Sequence, residues 1–145
     1  MLNDVGREMT VDNIFRDGRV CFVCGERNPQ GLKLKLAMDR DHGVAEAEVI
    51  FPEHFQGWEG IVHGGLLAAV LDDAMIYSAR AKGLTCVTGE MTVRYVRPAS
   101  TGIAYLLKGR FVEDKGRIVL AESVLLDTNG DEIARASGKL FKVKR

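Results

Sequence analysis

The chain has no excess of either charge. Lys+Arg and Asp+Glu number 20 each in 145 residues, so the net charge is zero. A nucleic-acid partner needs a strongly basic face, and none is expected here. Four basic residues near the end, Lys139, Lys142, Lys144 and Arg145, read as one solvated final strand. No uninterrupted apolar run reaches about 18 residues, so no membrane-spanning helix is expected. The longest candidate is broken by Asp72-Asp73. The opening MLNDVGREMT has no apolar core of the secretory type. Cysteine is scarce, and an odd count of three fits a reducing compartment better than a disulfide framework. Internal repeats and low-complexity stretches are also missing. These absences describe a soluble cytoplasmic protein. Its length suits one domain, and at 46% hydrophobic it can bury a sizeable core.

What is present is organised around one segment, GIVHGGLLAAVLDDAMIYSARAKG. Apolar residues surround it on nearly every side from Leu66 to Tyr77, the pattern of a buried helix. The helix is expected from about His63 to Lys82, with Gly83 as its stop. Before it, a short helix is expected around Val5–Phe15. Asn28-Pro29-Gln30-Gly31 marks a turn. Leu32, Leu34 and Leu36 alternate with Lys33 and Lys35, so 32–38 reads as a half-buried strand, and Val44–Phe51 as a second. Residues 52–62 form a loop. After the helix come four strand-like runs, Cys86–Arg97, Ile103–Val112, Ile118–Leu126 and Ile133–Val143. Asp114-Lys115-Gly116 and Asn129-Gly130 read as hairpin turns. Short loops between strands imply an antiparallel sheet. The layout is α+β: an antiparallel sheet of about six strands wrapped around one long central helix.

Two features of the helical segment point to chemistry. A carboxylate in the middle of a buried helix is costly unless something uses it. Two glycines at a helix start leave backbone N–H groups open to a ligand oxygen.

The pattern resembles the hotdog fold, and within it the acyl-CoA thioesterases of the PaaI/THEM4-like group. The resemblance covers about residues 21–143. It rests on Cys21-Phe22-Val23-Cys24-Gly25, Asn28-Pro29-x-Gly31-Leu32, Phe55-Gln56-Gly57, Gly60-x-Val62-His63-Gly64-Gly65, Asp72, Thr88 and Arg97-Pro98. It implies an N-terminal extension over 1–20 and a thioesterase domain over 21–145. It implies hydrolysis of a thioester to free acid and CoA, without cofactor or metal. Asp72 stands at the catalytic acid, general base or nucleophile. The Gly64 N–H stands at the oxyanion donor, and Thr88 where a hydroxyl helps hold the attacking water. Gln56 lies near a residue that orients water or substrate, offset by one position. His63, Gly65 and Trp58 are expected to bind substrate; Trp58, in the loop before the helix, either walls an acyl pocket or plugs the core.

Helical arithmetic adds a constraint. Asp72 lies about 180° around and about 13 Å along the helix from His63, and about 12 Å from Gly64. One subunit cannot easily set Asp72 and the Gly64 N–H around one carbonyl. Two antiparallel helices from two subunits can, and an isologous dimer does so twice. The spacing therefore predicts a homodimer or a dimer of dimers with sites between subunits.

Several residues have blander readings. Asp73 reads as a structural or interface acid, since two adjacent acids cannot both face one pocket. His63 at a helix N-terminus reads as a loop-fixing hydrogen bonder rather than a base. Cys21-x-x-Cys24 has no second pair to complete a zinc site, and a turn follows it instead of a helix, so it reads as small apolar packing. CoA phosphates want cations, and Arg94, Arg97, Lys108, Arg110 and Arg117 are available. Two other functions compete. Glu53-His54-Phe55-Gln56-Gly57 is similar to a motif of hotdog dehydratases, but their helix acid falls here on Ala68. The third is an acyl-CoA binder without turnover.

Overall fold

The computed structural model describes residues 18–143. The helix expected around Val5–Phe15 lies outside the described residues. Six strands form one sheet: β1 (Ala37–Asp39), β2 (Val44–Ile50), β3 (Cys86–Tyr95), β4 (Ala104–Asp114), β5 (Ile118–Leu126) and β6 (Glu132–Lys142). Their order is β1-β2-β4-β5-β6-β3, and every neighbouring pair is antiparallel. Among the described residues a single α-helix, α1 (Gly64–Ala81), lies against it. Among the described residues no helix is long and apolar enough to cross a membrane. The expected hotdog architecture is the one observed.

The helix packs through one face. Leu67, Val70, Leu71, Ala74, Met75, Ser78 and Ala79 are buried against the sheet. Facing them, β2 presents Ala45, Ala47 and Val49, β5 presents Val119, Ala121 and Leu125, and β6 presents Ala134, Ala136 and Leu140. The many alanines let the helix sit close. Each large apolar side chain so buried contributes roughly 1.5–3 kcal/mol. Ser123 on β5 donates to the Leu71 carbonyl at 2.8 Å, so this buried hydroxyl is satisfied and ties sheet to helix. The helix ends as expected at Gly83, whose φ of +78° closes a Schellman turn with Leu84 N–H bonded to Ala79 O at 3.0 Å.

Three expectations change. The helix is not enclosed all round: Leu66, Ala69, Asp72, Asp73, Ile76 and Tyr77 are only half-buried within one chain. Residues 32–36 keep the alternating burial but do not join the sheet. Leu32 and Leu34 N–H groups bond instead to the Phe22 and Val23 carbonyls, at 2.9 and 2.8 Å, and only 37–39 reaches β2. The ladder of β3 stops at Tyr95 rather than Arg97, because Val96 and Arg97 both turn their N–H to the Ile133 carbonyl. Among the described residues β3 pairs with β6 alone and is an edge strand, whereas β4 sits mid-sheet.

Candidate active site

The start of α1 is held by a densely bonded loop. Val62 N–H bonds to Ala99 O and His63 N–H to Phe55 O, each at 2.9 Å. Tyr105 accepts Ser100 N–H at 2.8 Å, fixing the loop after β3 beside it. Gln56 accepts Gly60 N–H through Oε1 at 2.9 Å. The amide of Gln56 thus closes the loop that carries Trp58, and its side-chain nitrogen keeps two donors over. Trp58 is 84% exposed, so it does not plug the core. With Gly57, Ile61, Val62, His63 and Gly64 it lines an open groove of about 400 Å³ at the helix start.

His63 is the N-cap, and its Nδ1 accepts the Gly65 N–H at 2.9 Å. This bond requires an unprotonated Nδ1 and consumes the Gly65 donor. Leu66 and Leu67 N–H both turn to the His63 carbonyl. The Gly64 N–H is left with no acceptor among the described residues. Of the two glycine amides expected to meet a ligand, only one stays open, at the positive end of the helix dipole. Tyr95, not anticipated from the sequence, donates to the Gly64 carbonyl at 2.8 Å, and its ring lies 3.4 Å from where a Gly64 Cβ would be.

The second cluster lies eight residues further along α1. Thr88 Oγ1 donates to Asp72 Oδ1 at 2.5 Å. Thr88 is aimed at the helix by a β-bulge, since the β3–β6 register shifts between Thr88 and Glu90. The extra residue is Gly89, where a Cβ would fall 1.8 Å from the Phe141 ring. A glycine inside a strand pattern is the sequence signal for such a bulge. Asp73 faces elsewhere, toward Cys24, and burial raises its carboxyl pKa. Burial also pushes the Cys24 thiol up to about 12 and the Tyr77 hydroxyl beside it to about 12.

The structure therefore gathers the site residues into two groups. Gln56, Trp58, His63, Gly64 and Gly65 meet at the helix start, while Asp72 and Thr88 meet at its middle, about 12 Å along the axis. The chemistry available is a hydroxyl-oriented carboxylate in one place and an oxyanion-competent amide in the other. Of the cations considered for CoA, Lys108 pairs with Glu46 at 3.1 Å and Arg110 with Glu122 at 2.7 Å. Arg97 lies 3.5 and 3.8 Å from Asp131 and Asp127.

Residues 59–134, more than half of the chain, match the thioesterase superfamily. A Saccharolobus solfataricus protein named "Putative esterase SSO1253" is 26% identical over 100 residues, covering 68% of this chain and 66% of its own length. The chain thus spans just under two-thirds of that relative. Among solved structures, protein RHA08564, a thioesterase superfamily protein, matches at 26% identity with a TM-score of 0.79, over 86% of this chain and 60% of that one. The E. coli PaaI protein from the phenylacetic acid degradation operon matches at 19% identity and a TM-score of 0.71, over 78% of this chain and 81% of its own. A Streptococcus pneumoniae "Hypothetical Thioesterase Protein" solved with coenzyme A matches at 17% identity and a TM-score of 0.71, over 77% and 90% of the two chains. That protein has also been solved with one aspartate, and separately one threonine sixteen residues later, replaced by alanine.

Proposed function

Because the chain belongs to the thioesterase superfamily, we propose that it hydrolyses an acyl-CoA to the free acid and CoA at two sites of a homodimer or of a dimer of dimers. The observation that carries this reading is the Thr88–Asp72 hydrogen bond on the central helix. The sixteen-residue spacing of this pair equals that of the aspartate and threonine altered in the Streptococcus pneumoniae protein.

Asp72 acts as the general base. Its carboxylate, oriented by Thr88, removes a proton from a water that attacks the thioester carbonyl carbon. Negative charge then develops on the carbonyl oxygen, which sits at the Gly64 N–H of the partner helix. Collapse of the tetrahedral intermediate breaks the carbon–sulfur bond. The CoA thiolate leaves and takes the proton held by Asp72. Direct attack by Asp72 would instead give an acyl anhydride, and single-turnover labelling with heavy-oxygen water separates the two routes by marking the carboxylate. Trp58 offers the acyl group an aromatic wall, and Gln56 keeps amide donors near the same groove. His63 acts by positioning, fixing the first turn of the helix.

The shared site is supported by three features. Asp72 and Gly64 lie too far apart on one helix. The outer helix face is half-covered within one chain. β3 leaves a ten-residue strand edge unpaired among the described residues, and such edges are usually covered.

The test is CoA thiol release across a panel of short, long-chain and aromatic acyl-CoAs. Turnover that falls in Asp72→Ala is expected. Tight acyl-CoA binding without turnover across the panel would favour a non-catalytic binder, and hydration of an enoyl-CoA would favour the lyase.

A further inference from the structure

A second polar cluster lies on the outer side of α1, where the segment ahead of β1 crosses it. Cys21 Sγ, Cys24 Sγ and a carboxylate oxygen of Asp73 all lie within 4.8 Å of one another, each residue half-buried. The Cys24 thiol hydrogen-bonds the Asp73 carboxyl, yet Asp73 Oδ2 is buried with no partner of good geometry among the described residues. Simple apolar packing does not account for this, because buried carboxylate oxygens are almost always satisfied.

The cysteine turn is shaped around its sulfur. The Val23 and Cys24 N–H groups both point at Cys21 Sγ, at 3.4 and 3.5 Å. Gly25 N–H closes the turn on the Cys21 carbonyl at 2.9 Å. A Cβ at position 25 would lie 2.4 Å from both the Arg19 carbonyl oxygen and the Cys21 nitrogen, so only glycine fits. The two amides fix the position of the Cys21 sulfur beside Cys24 and Asp73.

We propose that Cys21, Cys24 and Asp73 form a binding site for one thiophilic divalent cation of the zinc class. Two thiolates select such an ion over magnesium or calcium. Tetrahedral zinc holds sulfur at about 2.3 Å and carboxylate oxygen at about 2.0–2.2 Å, so modest side-chain rotation brings these three donors into range. The fourth position is left to solvent. On binding, the cation displaces the two thiol protons to solvent, and the carboxylate supplies the third bond. The ion gives Asp73 Oδ2 a partner. It also clamps residues 21–25 to the helix one residue from Asp72, so its role is to hold that part of α1 in place. A Cys21–Cys24 disulfide is the competing fate of these sulfurs, and it would leave Asp73 Oδ2 unsatisfied.

The experiment uses the full chain, purified under reducing conditions and stripped with a chelator. Titration with Co²⁺ is expected to reach one equivalent per chain. It should show the near-ultraviolet sulfur-to-cobalt band together with visible bands of a tetrahedral ion. Zn²⁺ should abolish both and raise Tm at one equivalent, and Mg²⁺ should do neither. Asp73→Asn keeps both thiols and the side-chain shape, and should weaken binding at least about tenfold. Cys21→Ser with Cys24→Ser should remove the thiolate band. The proposal is overturned by the absence of stoichiometric uptake, by a Co²⁺ spectrum without thiolate character, or by an affinity indifferent to Asp73→Asn. If the double serine variant does not fold, the wild-type spectrum and the Asp73→Asn titration still decide.

Discussion

Thr88 on β3 donates its hydroxyl proton to Asp72 Oδ1 on α1, so strand and helix meet through a polar bond at the one place where the helix carries paired acids. The bond sets the carboxylate plane and leaves the second oxygen for another partner. Asp72→Asn should therefore lower kcat at least about 10²-fold. Thr88→Ala removes one hydrogen bond to a charged group, a loss of roughly 10- to 100-fold. Thr88→Ser should keep most of the activity. Steady-state thiol release from the best substrate of the panel measures all three. Full activity in Thr88→Ala would remove Thr88 from the mechanism.

The open Gly64 N–H can be deleted without unfolding the helix. Gly64 is the first helical residue, a position that favours proline, and His63 has the extended backbone that precedes proline well. Gly64→Pro should keep the Tm and lower kcat by about 10²–10³-fold. Mixing Gly64→Pro with Asp72→Ala then tests the shared site. After subunit exchange, half the dimers are mixed and each holds one intact site, so about a quarter of wild-type activity should return. A site built within one chain would recover none.

The bulge residue gives a stability test. Gly89→Ala drives a methyl against the Phe141 ring and should destabilise by about 1–3 kcal/mol. Phe141→Ala in the same chain removes the obstacle, so the double variant should be more stable than additivity allows. Urea midpoints of the four proteins give the coupling. Additive losses would mean that the ring swings aside.

Acid should loosen the end of the sheet. Asp114 accepts Lys142 Nζ at 2.6 Å and Gly116 N–H at 2.9 Å, and these bonds lower its carboxyl below the ordinary value of 3.8. A carboxyl depressed in the folded state adds stability that is present above its unfolded value and is lost as pH falls through the folded one. Asp114→Asn should thus lower Tm slightly at neutral pH, with the gap to wild type closing below about pH 4. The pair is exposed, so the effect is small. A gap independent of pH would assign it to shape rather than charge.

The sequence carried the large features well. The helix was readable to within a residue at each end because its apolar run, its glycine stop and its capping histidine agree. The hairpins at Gly116 and Gly130 followed from turn chemistry. Residues 32–36 misled because alternation reports burial, not which strand supplies the hydrogen bonds. The edge position of β3 was hidden because strand order is set by contacts far apart in the chain. The Gly65 amide looked available until the His63 ring was seen to occupy it. Cys21 and Cys24 lacked a third donor in the sequence because that donor sits on the helix, long after the turn that presents them.

The extra residue in β3 also changes the strand's parity. Thr88 and Tyr95 are seven positions apart, an odd interval that places two residues on opposite faces of a regular strand. With Gly89 inserted they share a face, one reaching Asp72 and the other the Gly64 carbonyl. The strand thus behaves as two rulers joined out of phase. A one-residue deletion between 90 and 95 that kept the bulge would invert one half against the other. Loss of Gly89 itself would leave a regular strand of even interval, so this stretch should tolerate a change of length at the bulge alone.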